Sequence, residues 1–321
     1  MHSFEELSSG FATKFNTAHF PSEPASLYDP AVYFLGIGGK RIRPVMCLMG
    51  NELFGDIDPD AWHLAAAIEL FHNFTLIHDD IMDKAPLRRG MQTVHEKYGM
   101  STALLAGDVM LVVAYEYINK VGPTHIRQLL HLFNATAKEV CEGQQLDMDF
   151  ETRETVGLNE YLSMIRLKTS VLLAASLRMG SILGGAGLGN QQHLYEFGQH
   201  LGLAFQIQDD YLDAFGDPAK FGKQVGGDIV AGKKTFLLIK ALETAAPAQL
   251  KEMKELEKAP APEKIEGMLR LFKACGVDAW ARELKDRYIQ TALQHLEDIA
   301  VLSRRKEPLA QLASFLVQRE Y

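Results

Sequence analysis

Apolar residues recur every three to four positions along almost the whole chain, the period of helices that bury one face, and no run alternates in steps of two long enough to build a sheet. Residues 1 to about 30, with Pro21, Pro24 and Pro30, read as a short helix and an irregular lead-in. A helix over Tyr28 to Gly38 ends in the glycines at 36, 38 and 39, where left-handed backbone is easiest. Pro44 opens the next helix, which runs through Phe54. From 60 to 83, Trp62, Ala65, Ala66, Ile68, Leu70, Phe71, Phe74, Leu76 and Ile77 cover most of a helix circumference, which marks a central helix. Helical pattern continues over 92–98, 101–119, 124–150 and 158–183, followed by a glycine-rich break from Gly184 to Gly189. Asn190 is the expected cap of a helix carrying Leu194, Phe197, Leu201, Ala204 and Phe205, which Gly216-Asp217-Pro218 terminates. Residues 235 to 321 read as packing and interface helices around a loop at Ala259-Pro260-Ala261-Pro262. The expectation is an all-α protein in one domain spanning 1–321, with no repeat of fixed period.

Two of these helices end in the same acidic pattern, Asp79-Asp80-Ile81-Met82-Asp83 and Asp209-Asp210-Tyr211-Leu212-Asp213. At 3.6 residues per turn the first and last aspartates of each share a face. One such cluster alone is an ordinary solvated helix end. Two of identical spacing at the ends of apolar helices suit Mg²⁺, a hard ion that takes one or two carboxylates and completes its octahedron with water and phosphate oxygens. Cations are placed to match: Lys40, Arg41 and Arg43 crowd a helix start, where they oppose the macrodipole unless an anion binds there. Arg88 and Arg89 follow the first cluster directly. His72 lies seven residues before Asp79, on nearly the same face, and Lys168-Thr169 is a polar pair in an apolar helix.

Composition narrows the classes. The 321 residues are 47% hydrophobic, enough for a large core, and the net charge of -8 argues against a nucleic-acid binder. Three well-separated cysteines, Cys47, Cys141 and Cys275, suggest neither zinc site nor disulfide framework, and fit a cytoplasmic protein. The acidic start Met1-His2-Ser3-Phe4-Glu5-Glu6 is unlike a signal peptide, and no uninterrupted apolar run reaches the length of a membrane span. Gly184–Gly189 lacks the GxGxxG spacing and a preceding strand. Gly227 to Lys233 misses a P-loop because Lys234 stands where Ser or Thr should be.

Taken in order, Gly-Gly-Lys-Arg-Ile-Arg-Pro at 38–44, Asp79 to Asp83, Leu-Arg-Arg-Gly at 87–90, Gly-Gln at 143–144, Lys-Thr at 168–169, Phe-Gln-Ile-Gln-Asp-Asp-Tyr-Leu-Asp at 205–213 and Gly-Lys-Lys-Thr at 232–235 resemble the trans-type isoprenyl diphosphate synthases of the polyprenyl synthetase family. The resemblance implies a bundle of ten or more helices around a central cavity, and Mg²⁺-dependent condensation of isopentenyl diphosphate with dimethylallyl, geranyl or farnesyl diphosphate. It implies that Asp79, Asp83 and Asp209 hold three Mg²⁺ ions on the allylic diphosphate, with Asp80, Asp210 and Asp213 in support. Arg88, Lys168, Lys223 and Lys233 would contact the same diphosphate. Lys40, Arg43, His72 and Arg89 would hold that of isopentenyl diphosphate, while Thr169, Gln206 and the carbonyl of Lys168 would steady the cation. A homodimer is the family's usual state.

Chain length should depend on what lies beneath the first motif. Phe74 and Thr75, five and four residues before Asp79, resemble short-chain synthases that stop at geranylgeranyl diphosphate. Phe71, one turn further in, would stop growth at farnesyl diphosphate, or is simply core. Two rivals remain. A class I terpene cyclase would carry a different second motif and would not need Lys40, Arg43 and Arg89. A non-catalytic partner subunit would be expected to lose an acidic motif.

Overall fold

The computed structural model describes residues 1–15, 18–216 and 225–317. Helices form α1 (Phe4–Lys14), α2 (Ala25–Gly36), α3 (Ile42–Glu52), α4 (Pro59–Met82), α5 (Val94–Tyr98), α6 (Met100–Ile118), α7 (Pro123–Thr152), α8 (Leu158–Ile165), α9 (Val171–Leu183) and α10 (Leu188–Phe215), then Gly227–Ala231, Phe236–Thr244, Pro247–Leu256, Ala261–Ala274, Val277–Glu297 and Ser303–Val317. The all-α expectation holds apart from one small hairpin, β1 (Leu87–Arg88) paired antiparallel with β2 (Met91–Gln92). The chain divides into two compact units, the first of Met1–Ala135, Ala175–Leu194 and Ala300–Pro308, the second of Thr136–Ala174, Tyr195–Ile299 and the stretch from Leu309.

In the first unit α4 is the core element. The Asp58 side chain accepts from the Asp60 backbone N–H at 2.8 Å and Pro59 occupies the first turn, so the helix has both a cap and a pre-set φ at its start. Leu64, Ala65, Ala67, Ile68, Leu70 and Phe71 are buried along it. The helix closes with a Schellman pattern: Ala85 N–H bonds to the Asp80 carbonyl, Lys84 N–H to that of Ile81, and Lys84 holds the left-handed position at φ 52° where glycine is usual. The chain then reverses through Arg89 (φ 53°) and Gly90 (φ 78°), the two positive angles that a type I′ hairpin turn demands. Those three residues return Arg88 and Arg89 beside the helix end.

Around α4, α3 meets α9 at near-contact. A Cβ built on Gly180 would lie 1.9 Å from the Cys47 carbonyl oxygen, and one on Gly50 would lie 2.3 Å from that of Leu177. The core face of α6 carries Ala103, Ala106, Gly107, Met110, Val113 and Ala114, and the face opposite exposes Met100, Leu104, Leu105, Val112 and Tyr115. By length and composition α6 is the one described helix that passes for a membrane span, although Asp108 and Glu116 interrupt its apolar run, as the sequence expectation of no uninterrupted span requires.

The second unit packs Phe150, Tyr161, Ile165, Ile207, Phe236, Leu237, Leu271 and Phe272 into its core. Its residues 158–183 are helical as expected, but Arg166–Ser170 is a π-turn, with Val171 N–H reaching back to the Arg166 carbonyl. Gly143 and Gly202 hold this turn. A Cβ on Gly143 would lie 2.2 Å from the Lys168 nitrogen, and one on Gly202 would lie 2.7 Å from Ser170.

Other boundaries shift by a residue or two. Residue 190 is not a cap: α10 starts at Leu188, and the Asn190 Oδ1 accepts instead from the Ala300 N–H at 3.0 Å. The helix before the glycines starts at Ala25 rather than Tyr28, with Pro30 inside it. Pro44 falls in the first turn of α3, which Arg41 precedes in left-handed geometry at φ 52°.

Candidate active site

The candidate residues form two groups, one in each unit. In the first unit the Asp79 cluster ends α4, with Asp79 half-buried, Asp80 1% exposed and Asp83 exposed. Arg88 binds Asp80 in a fork: Nε is 2.9 Å from both carboxylate oxygens and Nη2 is 2.7 Å from Oδ1. That leaves Nη1 and one Nη2 hydrogen of Arg88 for another acceptor.

His72 is ringed by guanidiniums. Arg43 Nη1 donates to His72 Nε2 at 3.1 Å; because arginine can only donate, the ring nitrogen is the acceptor and His72 is neutral with its proton on Nδ1. Burial first, and then the charges of Arg43, Arg89, Arg88 and Arg41, hold its pKa well below the usual histidine value. Burial also pushes Arg43 down to about 10, still charged at neutral pH, and its Nε is buried without a hydrogen-bond partner among the described residues. The Arg89 guanidinium lies against Gly39, where a Cβ would meet Nη1 at 2.8 Å. Lys40 is exposed on the same loop.

Four arginines lie near one neutral imidazole with only two carboxylates, Asp80 on Arg88 and Glu69 on Arg41, to offset them, and Arg41 and Arg89 also hold positive φ. Arrangements of this cost persist where the strain serves a site. An anion of high charge relieves the repulsion, and the buried, unpartnered Arg43 Nε is a donor such an anion can use.

The support for this cluster was not legible in the sequence. Arg41 pairs with Glu69, which is 3% exposed, and donates to the Leu35 carbonyl at 3.1 Å. Asn73 donates to the same carboxylate oxygen as Arg41, its Nδ2 lying 2.8 Å from Glu69 Oε1. A glutamate in the middle of an apolar helix was the signal available.

Below the aspartates, Phe71 is buried and makes an edge-on contact with Phe133 (centroids 5.1 Å apart) and a tilted one with Phe74 (5.7 Å). Phe74 is half-buried and also touches His78. The Thr75 hydroxyl donates to the His72 carbonyl at 2.8 Å.

In the second unit Asp209 and Asp213 are half-buried and Asp210 is buried. Asp210 accepts from the Tyr161 hydroxyl and, at 2.8 Å, from Gln206 Nε2, whose Oε1 accepts from Thr169 at 3.3 Å. The expected pair Thr169 and Gln206 is thus joined, and their network ends on an aspartate. Burial, and then the negative charge of Asp228, raise Asp210 to about 7, with the two hydrogen bonds opposing. Asp213 accepts from the Asp228 N–H at 2.9 Å at the start of helix Gly227–Ala231; burial raises its pKa while that bond lowers it. Lys168 donates to Asp147 at 2.6 Å, and Lys233 lies 3.4 Å from Asp228. Lys223 lies outside the described residues. Tyr161, Asp147 and Asp228 were not foreseen; Tyr161 sits seven residues before Lys168, the only hint that spacing offered.

The donor set suits a hard dication. All six motif side chains are carboxylates, and the upward pull on Asp210 from Asp228 and Asp209 is the excess negative charge that a divalent ion offsets.

The family model described as "Polyprenyl synthetase" matches residues 24–274. A geranylgeranyl pyrophosphate synthase of Geoglobus acetivorans is 40% identical over 302 residues, covering 93% of this chain and 92% of its own. A crystal structure of a geranylgeranyl pyrophosphate synthase superposes with a TM-score of 0.95 at 43% identity, over 100% of both chains. A polyprenyl synthase from Caulobacter crescentus CB15, complexed with calcium and isoprenyl diphosphate, superposes with a TM-score of 0.87 at 28% identity, over 99% of this chain and 96% of that one.

Proposed function

The chain belongs to the polyprenyl synthetase family and is a short-chain trans-prenyl diphosphate synthase, and from that premise we propose that its two aspartate motifs and its guanidinium cluster make geranylgeranyl diphosphate by successive head-to-tail additions of isopentenyl diphosphate. The observation that carries the site assignment is the crowd of arginines on neutral His72 beside the first aspartate motif. Asp80 neutralises Arg88 and Glu69 neutralises Arg41, which leaves Arg43 and Arg89 as the excess positive charge, and a diphosphate supplies its counterpart.

In this reading Arg43, Arg89, Lys40 and the Nδ1–H of His72 hold the diphosphate of isopentenyl diphosphate. Asp79, Asp83 and Asp209 hold Mg²⁺, three ions by family expectation, and Asp80, Asp210 and Asp213 keep those ligands in place. Bound Mg²⁺ would supply positive charge to the diphosphate leaving the allylic substrate. Asp80 aims Arg88, whose remaining N–H groups meet that diphosphate; Lys168, held by Asp147, contacts it as well, and Lys223 and Lys233 complete the set. Thr169 and Gln206 turn oxygen dipoles toward the allylic cation, stabilised where it develops. The alkene attacks from close range, so much of the work is positioning and exclusion of water. The departed diphosphate takes the final proton, which is why no nucleophile with a paired base is required.

The two units work as one synthase domain, and the exposed apolar face of α6 (Met100, Leu104, Leu105, Val112 and Tyr115) is the surface for a homodimer. A cytoplasmic setting, in which the three free cysteines stay reduced, goes with this assignment. The cyclase and partner-subunit readings lose ground because both aspartate motifs and the Lys40, Arg43 and Arg89 set are present.

Purified protein incubated with Mg²⁺, labelled isopentenyl diphosphate and each allylic primer should release a C20 alcohol after dephosphorylation. A C15 alcohol would move the stop to Phe71. Diphosphate release from the allylic substrate alone would return the cyclase reading. Asp79→Ala and Asp209→Ala should each abolish turnover with helical content intact, and normal turnover in either would remove the metal assignment.

A further inference from the structure

A second set of metal-ligating side chains lies in the second unit, apart from the aspartate motifs. Glu196 and His200 are one turn apart on α10, and His295 comes from the helix Val277–Glu297; each offers a donor atom, and the three donors lie within 4.8 Å of one another. All three residues are half-buried. The two imidazoles stack with ring centroids 5.5 Å apart and planes 26° from parallel, and Tyr288, seven residues before His295, closes over His200 at 6.1 Å.

We propose that Glu196, His200 and His295 form a site for a borderline transition-metal dication of the Zn²⁺ type, which ties the Val277–Glu297 helix to α10. The His200 ring is already set for this. Its Nδ1 lies 2.9 Å from the Glu196 backbone carbonyl, which can only accept, so Nδ1 carries the proton and the neutral ring keeps its lone pair on Nε2. A backbone carbonyl on the second nitrogen is the usual partner of a metal-bound histidine, since it fixes both tautomer and ring orientation.

The ligand chemistry separates this site from the aspartate motifs. Two imidazoles and one carboxylate suit Zn²⁺, whereas clustered carboxylates suit Mg²⁺. Metal–ligand bonds of about 2.0–2.1 Å in a tetrahedron put donors roughly 3.4 Å apart, so the set closes on an ion by side-chain rotation that brings the Glu196 carboxylate, now 3.9 Å from His200 Nδ1, round to the Nε2 side, with water in the fourth position. The backbone that carries the ligands is well anchored: Phe197, Leu201, Ala292 and Leu296, next to or within a turn of the three ligands, are at most 3% exposed.

The test is equilibrium dialysis of the full-length protein against micromolar Zn²⁺ with millimolar Mg²⁺ present to occupy the carboxylate motifs, followed by metal analysis. One tightly held Zn²⁺ per chain is expected, with at least tenfold weaker retention in His200→Gln and in His295→Gln and unchanged Mg²⁺-supported turnover. Co²⁺ added to the unmodified protein should show the strong visible absorption of a four-coordinate site, a readout that does not depend on any variant folding. Absence of retained Zn²⁺ in the unmodified protein, or equal retention by both histidine variants, would overturn the proposal.

Discussion

Arg88 Nε stands 2.9 Å from both oxygens of the Asp80 carboxylate, eight residues earlier in the chain and 1% exposed. Removing the arginine leaves a buried carboxylate without its countercharge. Arg88→Ala should therefore cost about 3 kcal/mol, the low end for breaking a buried pair because the arginine is partly open to solvent. Urea titration at neutral pH measures it. Adding Asp80→Asn should recover part of the loss, and an Arg88→Ala cost below roughly 0.5 kcal/mol would mean that the pair is a surface ornament.

Asp210, raised to about 7 from 3.8, gives a pH dependence of definite sign. Between about pH 4 and 7 the folded protein keeps a proton that the unfolded chain has released, so stability is greatest at the acid end, falls as pH rises through that window and levels above it. Asp210→Asn should remove most of this slope in Mg²⁺-free protein, a difference of at most ~4 kcal/mol across the window. Tyr161→Phe should extend the slope to higher pH, because the lost hydrogen bond favoured the charged carboxylate. Matched urea midpoints at intervals of pH would show both, and identical profiles for Asp210→Asn and the parent would refute the burial of this charge.

Arg89 plays two parts that a substitution can separate. Its left-handed backbone serves the hairpin turn, and its guanidinium is assigned to isopentenyl diphosphate. Asparagine is the better residue for a type I′ turn, so Arg89→Asn should keep or slightly raise thermal stability while KM for isopentenyl diphosphate rises at least tenfold. Steady-state kinetics with each substrate varied in turn would decide it; an equal rise for the allylic substrate would reassign the residue.

Phe74 and Phe71 touch, yet they should respond differently to truncation. Phe74 is only half-buried, and Phe74→Ala is expected to lengthen the product beyond C20 at little cost in stability. Phe71 is packed on Phe133, and Phe71→Ala should cost about 3 kcal/mol or more. Product chromatography and thermal unfolding of both variants test the pair, and an unchanged product from Phe74→Ala would end its role as a floor.

What the sequence revealed, and what it hid, follows from the range of the interactions. The α4 helix was legible because its apolar positions surround it, a local fact; its Asp58-Pro59 start emerged only with the structure. The hairpin at 87–92 was not, since Arg-Gly replaces the Asn-Gly that normally announces such a turn. Asn190 looked like a cap because its side chain can serve as one; a hydrogen bond to Ala300, 110 residues away, uses that side chain instead. The candidate ligands themselves were read from spacing, whereas the groups that hold them, Glu69, Asp147, Tyr161 and Asp228, are joined by long-range contacts that no local pattern encodes.

The π-turn at 166–170 has a further consequence. One residue more than an α-helical turn is wound into a helix that otherwise keeps its axis, so side chains before and after it differ in phase by about 100° from what an unbroken helix would give. Tyr161 upstream can address Asp210 while Lys168 within the turn addresses Asp147, two partners that a uniform helix would present differently. Deleting a single residue here would restore perfect helical geometry and rotate one half of the helix away from its partners. The irregular turn is thus a phase adjuster, and regularity at this point would be the defect.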